Sequence, residues 1–309
     1  MRRQRLGDIV FRRLTQGFAI GVLLLLGAVI VALASGSTLA FRTFGLGFLT
    51  SETWNPVKDT FGALPAIYGT VVTSLIAMLL GVPLALGIAV FLTELCPRPL
   101  RRPIGVLVEL LAAIPSIIYG VWGLFVLAPL LQTTLQPALI DTLGNVPVIG
   151  ALFQGPPYGL GMLTAGMILA VMVLPFIAAV TRDVFLTVPA MLRESAYGMG
   201  ATTAEVVRAI VVPHSRIGIV GGVMLGLGRA LGETMAVTFV IGNNHHITAS
   251  LLAPGTTISA SLANEFTEAV SDTYTSSLIA LGLILFVITL IVLACANFLL
   301  WRLSAKEGA

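Results

Sequence analysis

The sequence predicts an all-α polytopic membrane protein with six transmembrane helices. Of its 309 residues, 57% are hydrophobic and only 10% are charged, whereas soluble domains carry about 25% charged residues. The apolar residues fall into blocks of about 20, the length that an α-helix needs to cross the hydrocarbon core of a bilayer. Strands of a transmembrane barrel would be shorter and would alternate between apolar and polar residues, which this sequence does not do. The composition therefore excludes a water-soluble globular domain.

Six apolar runs define the predicted spans. They cover residues 17–35, 66–93, 104–128, 159–182, 216–241 and 275–301. Residues 1–16 carry five arginines among apolar residues, which predicts an amphipathic cytoplasmic helix ahead of a transmembrane domain over 17–309. The first apolar run is longer than the roughly 7–15 residues of a signal peptide core. We therefore expect a retained span rather than a cleaved leader.

Basic residues alternate along the chain in a way that predicts its orientation. Lys and Arg are concentrated in residues 1–16, 94–103 and 183–215, whereas residues 129–158 and 242–274 contain none. Cytoplasmic segments of membrane proteins carry the excess of Lys and Arg. Both termini are therefore expected in the cytoplasm, and the net charge of +3 reflects topology rather than binding to nucleic acid.

The fifth predicted span contains two charged residues, Arg229 and Glu233. Arg229 lies on the order of 18 Å beyond Arg216 at 1.5 Å per residue, near the middle of the bilayer. Charges at this depth usually pair or line a polar cavity. The spacing of four residues places both on one helix face, where they can form an ion pair. The span also contains the small-residue pairs Gly222/Gly226 and Gly228/Gly232, which allow another helix to approach closely.

This charged pair has a functional and a structural interpretation. A guanidinium group offers donors to a tetrahedral oxyanion, and a carboxylate can accept a hydrogen bond from a protonated anion such as hydrogen phosphate. Thr234 and Thr238 add hydroxyl groups one and two turns further along. The predicted substrate path therefore comprises Arg229, Glu233, Thr234 and Thr238. An ion pair that only locks helices together is equally well supported by the fifth span alone.

The segment 183–215 carries its own helix signals. They are a proline suited to a first helical turn, two interrupting glycines, a capping box and a terminating proline: Pro189, Gly198, Gly200, Thr202 with Glu205, and Pro213. Two short helices over about 189–213 are expected at the membrane surface, where they could fit a partner's groove. These signals alone support a simple connecting loop equally well.

The same segment resembles the signature by which the membrane subunits of ABC importers dock on their ATPases. That signature reads Glu-Ala-Ala, three residues, Gly, nine residues, Ile, one residue, Leu-Pro. The matching residues here are Glu194, Ser195, Ala196, Gly200, Ile210, Val212 and Pro213. Only the second and sixth of these depart from the signature, both conservatively. The resemblance implies a type I ABC importer permease fold that couples to an ATPase through Glu194, Ala196, Gly200, Ile210 and Pro213.

Further stretches resemble the membrane subunits of the phosphate-specific ABC transporter. They are WNP at 54–56, FGALPAIYGT at 61–70, IPSIIYG at 114–120, GRALGETMAV at 228–237, IGN at 241–243, PGTTI at 254–258 and ANEF at 263–266. The run GETMAV followed by IGN is similar to the PstC type of the two permease subunits, because the PstA type carries Ala-Pro in place of Met235-Ala236. The resemblance implies phosphate import by alternating access, with Arg229 and Glu233 taking part in translocation.

The resemblance also implies the setting of the chain. It predicts a heterodimer with a second permease subunit of the PstA type, two ATPase subunits of the PstB type, and a periplasmic phosphate-binding protein of the PstS type, in the bacterial inner (plasma) membrane. The chain has no Gly-x-x-x-x-Gly-Lys-Ser/Thr loop, and its only lysines are Lys58 and Lys306. We therefore expect no enzymatic activity, no metal site and no cofactor on this chain, with ATP and Mg²⁺ bound by the partner ATPase.

Three other functions compete with this one. An intramembrane enzyme could use Arg229 and Glu233 catalytically, but no further catalytic or metal-ligand motif supports it, and His245-His246 alone is too small for a metal site. An anion channel could also use an intramembrane arginine, although it needs no docking segment. The same importer architecture could carry molybdate, sulfate or phosphonate, and only Glu233 and the resemblance favour phosphate.

Overall fold

Six long apolar helices make up the membrane part of the chain. The computed structural model describes residues 2–147 and 149–307. Within them, six helical stretches are long and apolar enough to cross a membrane: Val10–Phe44, Leu64–Leu95, Ser116–Leu143, Met162–Leu186, Thr203–Leu231 and Asp272–Arg302. The described residues contain isolated β-bridges but no strand. The all-α class and the predicted number of spans are therefore confirmed.

The helices follow one another in chain order with few long connections. They are α1 (Arg2–Gly36), α2 (Thr38–Phe44), α3 (Gly47–Thr50), α4 (Leu64–Val90), α5 (Arg98–Ala113), α6 (Ser116–Trp122), α7 (Ala128–Leu130), α8 (Gln136–Leu143), α9 (Met162–Leu186), α10 (Ala190–Gly198), α11 (Thr203–Val206), α12 (Val212–Leu231), α13 (Met235–Thr238), α14 (Ile258–Glu265) and α15 (Asp272–Glu307). π-Helical turns at Phe91–Leu95, Gly123–Leu127, Leu131–Leu135 and Val207–Val211 extend or join several of them, and Gly150–Phe153 forms a 3₁₀ turn.

The first helix runs without a break across the predicted boundary between residues 16 and 17. It is held to the last helix at its far end, where Ser276 Oγ donates to the Gly36 carbonyl at 2.7 Å and accepts from the Ala40 amide at 3.0 Å. The side chains of residues 2–7 and 9 lie outside the described part. The amphipathic character expected for residues 1–16 therefore stays a prediction.

The third span begins and ends later than the predicted range 104–128. Residues 98–113 form the separate helix α5, and the chain is extended at Ile114 and Pro115 (ψ 128° and 134°) before α6 begins. The break follows from Pro115, because a proline disfavours the helical conformation of the residue before it. The chain then stays helical as far as Leu143, so the first half of the predicted connection 129–158 belongs to this span.

The fifth span also differs from its prediction. Pro213 does not end a helix; it lies in the first turn of α12, and residues 203–231 form one continuous helical run. A proline is tolerated in a first turn, although Pro213 has no backbone N–H to donate. The π-helical turn before it, Val207–Val211, shifts the backbone hydrogen-bonding pattern so that the helix continues without this donor. The expected second short helix is therefore the beginning of the fifth span.

Helix α9 is the most buried of the spans and packs against α4, α5 and α12. Glycines allow the close approach to α12: a Cβ atom at Gly226 would lie 2.6 Å from Ile177 Cγ1, and one at Gly222 would lie 3.1 Å from Val180 Cγ1. The predicted close approach at Gly222/Gly226 is therefore confirmed. By contrast, a Cβ atom at Gly228 would meet no atom within 4 Å, and one at Gly232 would meet only the Gly228 carbonyl oxygen at 3.8 Å.

Candidate functional site

The two charged residues of the fifth span lie on either side of a helix break. Helix α12 ends at Leu231, Gly232 has φ −93° and ψ 0°, and Thr234 has φ −111° and ψ −66° before α13 begins. Because the helix does not reach Glu233, the spacing of four residues no longer places it on the same helix face as Arg229. No ion pair joins the two among the described residues. The predicted pairing is therefore wrong.

Arg229 is exposed on the surface of the chain at the end of α12. Its guanidinium carbon lies 4.2 Å from the centre of the Phe176 ring, a favourable cation–π contact. Within the described part of the chain, no carboxylate lies within ion-pair distance of it. A charge in an apolar span is costly unless it meets a polar cavity or a protein partner. This face of α12 therefore requires one or the other.

The other predicted path residues line the turn beyond Arg229. Glu233 is half-buried, and its Oε1 accepts a hydrogen bond from the Ala236 amide at 3.2 Å. Thr238 Oγ1 donates to the Thr234 carbonyl at 2.8 Å, and Thr234 Oγ1 donates to the Gly232 carbonyl at 3.4 Å. These bonds leave Glu233 Oε2 free to accept a hydrogen bond from a ligand.

A cavity of about 790 Å³ continues from this turn. Asn243 connects the two, because its Nδ2 donates to the Thr238 carbonyl at 3.2 Å while its side chain lines the cavity with Asn244, His245 and His246. In the sequence, Asn243 contributes only to the resemblance through IGN at 241–243, and this polar group is not predicted. The run of four polar residues at 243–246 directly after a span was the available signal.

Trp54 and His245, which line the cavity, belong to an aromatic and charged network. Glu265 Oε2 accepts hydrogen bonds from Trp54 Nε1 and Tyr274 Oη, each at 2.6 Å, and Glu265 Oε1 lies 3.2 Å from His245 Nε2. The His245 ring stacks on Trp54 with their centres 5.0 Å apart. Burial alone would raise the pKa of the Glu265 carboxyl, but the bonds from His245, Tyr274 and Trp54 hold this pKa below its usual value.

The predicted docking segment carries the expected caps. After α10, Gly200 adopts φ +90° and donates to the Tyr197 carbonyl, while Ala201 donates to the Ala196 carbonyl. These are the two hydrogen bonds of a Schellman motif, which needs a left-handed residue at the glycine position. Thr202 and Glu205 form the reciprocal hydrogen bonds of the predicted capping box.

The signature residues divide between an inner and an outer face. Ala196 is buried and Ile210 packs against the same small core, which also contains Phe185 and Val206. The other three, Glu194, Gly200 and Pro213, are exposed. Neighbouring large side chains project from this surface, with Met191 76% and Met199 85% exposed. The segment is therefore an anchored projection with an apolar exposed tip, although its partner stays a prediction.

An ion pair anchors α10 to the bundle, and the sequence does not predict it. Arg193 Nη1 lies 3.3 Å from Glu94 Oε1 in the π-helical turn after α4, and the Glu94 side chain is only 5% exposed. Arg193 Nη2 also donates to the Phe185 carbonyl in the last turn of α9. Arg193 therefore joins the projecting helix to the ends of the second and fourth spans. In the sequence, Arg193 is only one of the basic residues of 183–215 that predict orientation.

Glu109 falls within the range 104–128 that was predicted for the third span. It lies in α5 instead, where its Oε1 is 2.7 Å from Arg182 Nη2, and Arg182 also pairs with Asp183 at 2.8 Å. This pair joins α5 to α9.

Comparison with known proteins identifies a matching family and several relatives. Residues 81–304 match the family described as binding-protein-dependent transport system inner membrane component. The phosphate transport system permease protein PstC of Mesorhizobium japonicum is 65% identical over 309 residues, covering 100% of this chain and 94% of that protein. The protein of the same name from Pasteurella multocida is 55% identical over 301 residues, covering 97% of this chain and 94% of that protein.

Solved structures provide a separate comparison of the fold. A subunit of the bacterial alginate ABC transporter, solved in complex with an alginate pentasaccharide-bound periplasmic protein, matches with a TM-score of 0.62 at 17% identity and covers 96% of each chain. A chain of the inward-facing MetNI methionine ABC transporter matches with a TM-score of 0.57 at 17% identity, covering 77% of this chain and 94% of that one. These likenesses establish the type I importer fold.

Proposed function

Because this chain belongs to the binding-protein-dependent transport system inner membrane components, and within them to the PstC phosphate transport system permeases, we propose that it imports inorganic phosphate across the inner membrane. It acts as a multi-pass permease subunit of an ATP-driven importer. Hydrolysis of ATP, and binding of ATP and Mg²⁺, belong to the partner ATPase. The selectivity for phosphate rests on the proposed path residues and on the periplasmic binding protein.

The observation that carries this proposal is the exposed guanidinium of Arg229 within an apolar span. It offers several fixed donors to a tetrahedral oxyanion. Beyond it, Glu233 has a free carboxylate oxygen that accepts a hydrogen bond from the hydroxyl of hydrogen phosphate and repels fully ionised sulfate. Thr234 and Thr238 continue the path toward the cavity lined by Asn243.

One face of α12 supports a heterodimer. A Cβ atom added at Gly221 or Gly228 would meet no other atom within 4 Å, and Leu225 between them is 66% exposed. These residues lie near Arg229 and away from the glycines that pack on α9. A second permease subunit of the PstA type covers this face, and the transport path runs between the two subunits. Enclosure by the partner also removes the cost of exposing Arg229 to lipid.

The two ends of the chain's bundle have different partners. The projection over 189–213 docks on the PstB-type ATPase dimer through Glu194, Gly200 and Pro213, and both termini lie on this cytoplasmic side. The cavity lined by Asn243 and His245 faces the periplasm, where the PstS-type protein delivers phosphate. Closure of the ATPase dimer pushes the projection and, through Arg193, the ends of the second and fourth spans, which alternates access to the path.

Uptake of radiolabelled phosphate tests the proposal. The host lacks this chain, keeps the partner subunits, and receives the wild type, Arg229→Gln, Glu233→Gln or the control Arg302→Gln. Arg302 is a matched control because its guanidinium also packs on an aromatic ring, Phe298 at 4.6 Å, but at the end of the sixth span. Excess unlabelled sulfate and molybdate are added as competitors.

We expect the wild type and the Arg302→Gln control to restore uptake that neither competitor reduces. Both path variants should assemble normally with the partner subunits but transport poorly. Competition by sulfate would contradict the proposed selectivity for phosphate. Uptake that continues without ATP would indicate an anion channel, and normal uptake by Arg229→Gln would contradict the proposed path.

A further inference from the structure

A cluster of arginines surrounds a cavity of about 410 Å³ between α5 and α9. Arg98, Arg101 and Arg102 approach it from the first turn of α5, and Arg182 approaches it from α9. This cavity lies at the same end of the bundle as α10, because the ends of α4 and α9 that line it pack in one core with α10. It is separate from the path that Arg229 begins.

The charges around this cavity are not balanced. Arg182 is paired with Glu109 and Asp183. Within residues 2–147 and 149–307, no carboxylate lies within ion-pair distance of Arg98, Arg101 or Arg102, and the Arg101 Nε is buried without a hydrogen-bond partner. Like the three arginines, the amino end of α5 contributes positive charge. This combination favours an anionic ligand with several acceptor oxygens.

Apart from Thr93 and Glu109, whose carboxylate pairs with Arg182, the remaining lining of the cavity is apolar and partly exposed. Val106 and Leu186 line it and are 46% and 53% exposed, and the nearby Leu95 and Leu100 are 59% and 50% exposed. A free phosphate ion would be bound by the arginines but would leave these apolar side chains without a partner. A lipid meets both requirements, because its phosphate binds the guanidinium groups while its acyl chains cover the leucines and valine.

We propose that this cavity binds the phosphate headgroup of an anionic phospholipid of the cytoplasmic leaflet. The leaflet follows from the proposed orientation of the chain, whereas the binding itself does not depend on which anion the importer carries. The bound lipid neutralises the first turn of α5 and holds this helix beside α9, next to the ends of the spans to which Arg193 joins the docking projection.

Native mass spectrometry of the intact complex tests this inference. The complex is purified through a tag on this chain, with its partner subunits, into mild detergent and is titrated with phosphatidylglycerol or phosphatidylcholine. The pocket variant replaces Arg98, Arg101 and Arg102 with Gln. The control replaces Arg12, Arg13 and Arg302 with Gln, which removes the same charge from exposed positions outside this cavity.

We expect wild type and control to retain phosphatidylglycerol in preference to phosphatidylcholine. The pocket variant should bind it at least about tenfold more weakly, because the three guanidinium groups that bind the headgroup phosphate at this cavity are lost, whereas the control arginines lie outside it. Arg101→Lys, which keeps the charge but loses the planar fork of donors, should give an intermediate loss even if the triple variant fails to assemble.

Equal retention of the two lipids by the wild type would overturn the proposal, as would an equal loss in the control. Added inorganic phosphate distinguishes the two possible sources of the anion. If millimolar phosphate displaces the bound lipid from the wild type, and this displacement is absent in the pocket variant, the cavity is a site for the free ion and not for a lipid.

Discussion

Arg193 on the projecting helix α10 forms an ion pair with Glu94 at the end of the second span, with 3.3 Å between Nη1 and Oε1. The two residues come from different helices, and the Glu94 side chain is almost fully buried. The same arginine donates to the backbone of the fourth span at Phe185. A force applied to α10 therefore reaches two spans through one side chain.

We expect Arg193→Met to uncouple ATP hydrolysis from transport. Removing the arginine leaves Glu94 buried without its partner, which costs about 3 kcal/mol for a buried ion pair, so α10 should be held to the spans only by its apolar core around Ala196. Phosphate uptake should fall while ATP hydrolysis by the complex continues. Reconstituted complexes assayed for both rates check this, and full coupling in the variant would contradict it. The double variant Arg193→Met/Glu94→Gln should regain thermal stability, because the buried charge is gone.

Replacing Gly200 with alanine should destabilise the end of α10 by about 1 kcal/mol, because its φ of +90° is costly for a residue with a Cβ atom. No atom lies within 4 Å of that added Cβ, so the effect is one of backbone strain and not of a clash. Gly198→Ala is the matched control, since Gly198 is helical with equally open surroundings. Faster amide hydrogen exchange at residues 197–201 is expected in Gly200→Ala alone.

Valine at Gly226 and valine at Gly228 should have different consequences. At Gly226 the added atoms meet Ile177 Cγ1 and Cδ1 at 2.6 and 2.7 Å, so overpacking between α12 and α9 should cost about 1–3 kcal/mol. At Gly228 the space within this chain is open, so the variant should fold normally and lose the second permease subunit. Thermal unfolding in detergent and co-purification of that subunit measure the two effects. Equal co-purification with Gly228→Val would place the partner elsewhere.

The network around Glu265 should make stability depend on pH. Its lowered carboxyl pKa means that the folded state binds a proton less readily than the unfolded chain. The stabilisation is therefore present above the unfolded value of about 4.3 and is lost as the pH falls through the lower folded pKa. Glu265→Gln should remove this dependence, whereas Glu268→Gln, an exposed neighbour, should retain it. Thermal unfolding from about pH 3 to 6 with Trp54 fluorescence measures it, and identical profiles for wild type and Glu265→Gln would contradict it.

Local signals in the sequence were reliable where the structure depends on neighbours along the chain. The capping box at Thr202 and the glycine at position 200 were predicted correctly because a cap involves only residues within one turn. The helix break at Pro115 also has a local signal, the proline itself. The surrounding apolar run nevertheless predicted one continuous span over 104–128. At Pro213 the opposite error occurred. The sequence predicts a helix end there, but the helix continues through a π-helical turn.

By itself, the sequence determined the six membrane spans, the projecting segment and the presence of a charge within the fifth span, because hydrophobic length, caps and residue identity are local properties. Only the tertiary structure decided which groups meet. Arg193 with Glu94, Arg182 with Glu109, and Trp54 with Glu265 are each far apart in the chain. The helix break at Gly232 likewise separated Arg229 from Glu233, although the spacing of four residues had predicted an ion pair between them. Such contacts depend on how the helices pack around α9, and no short sequence pattern specifies that packing.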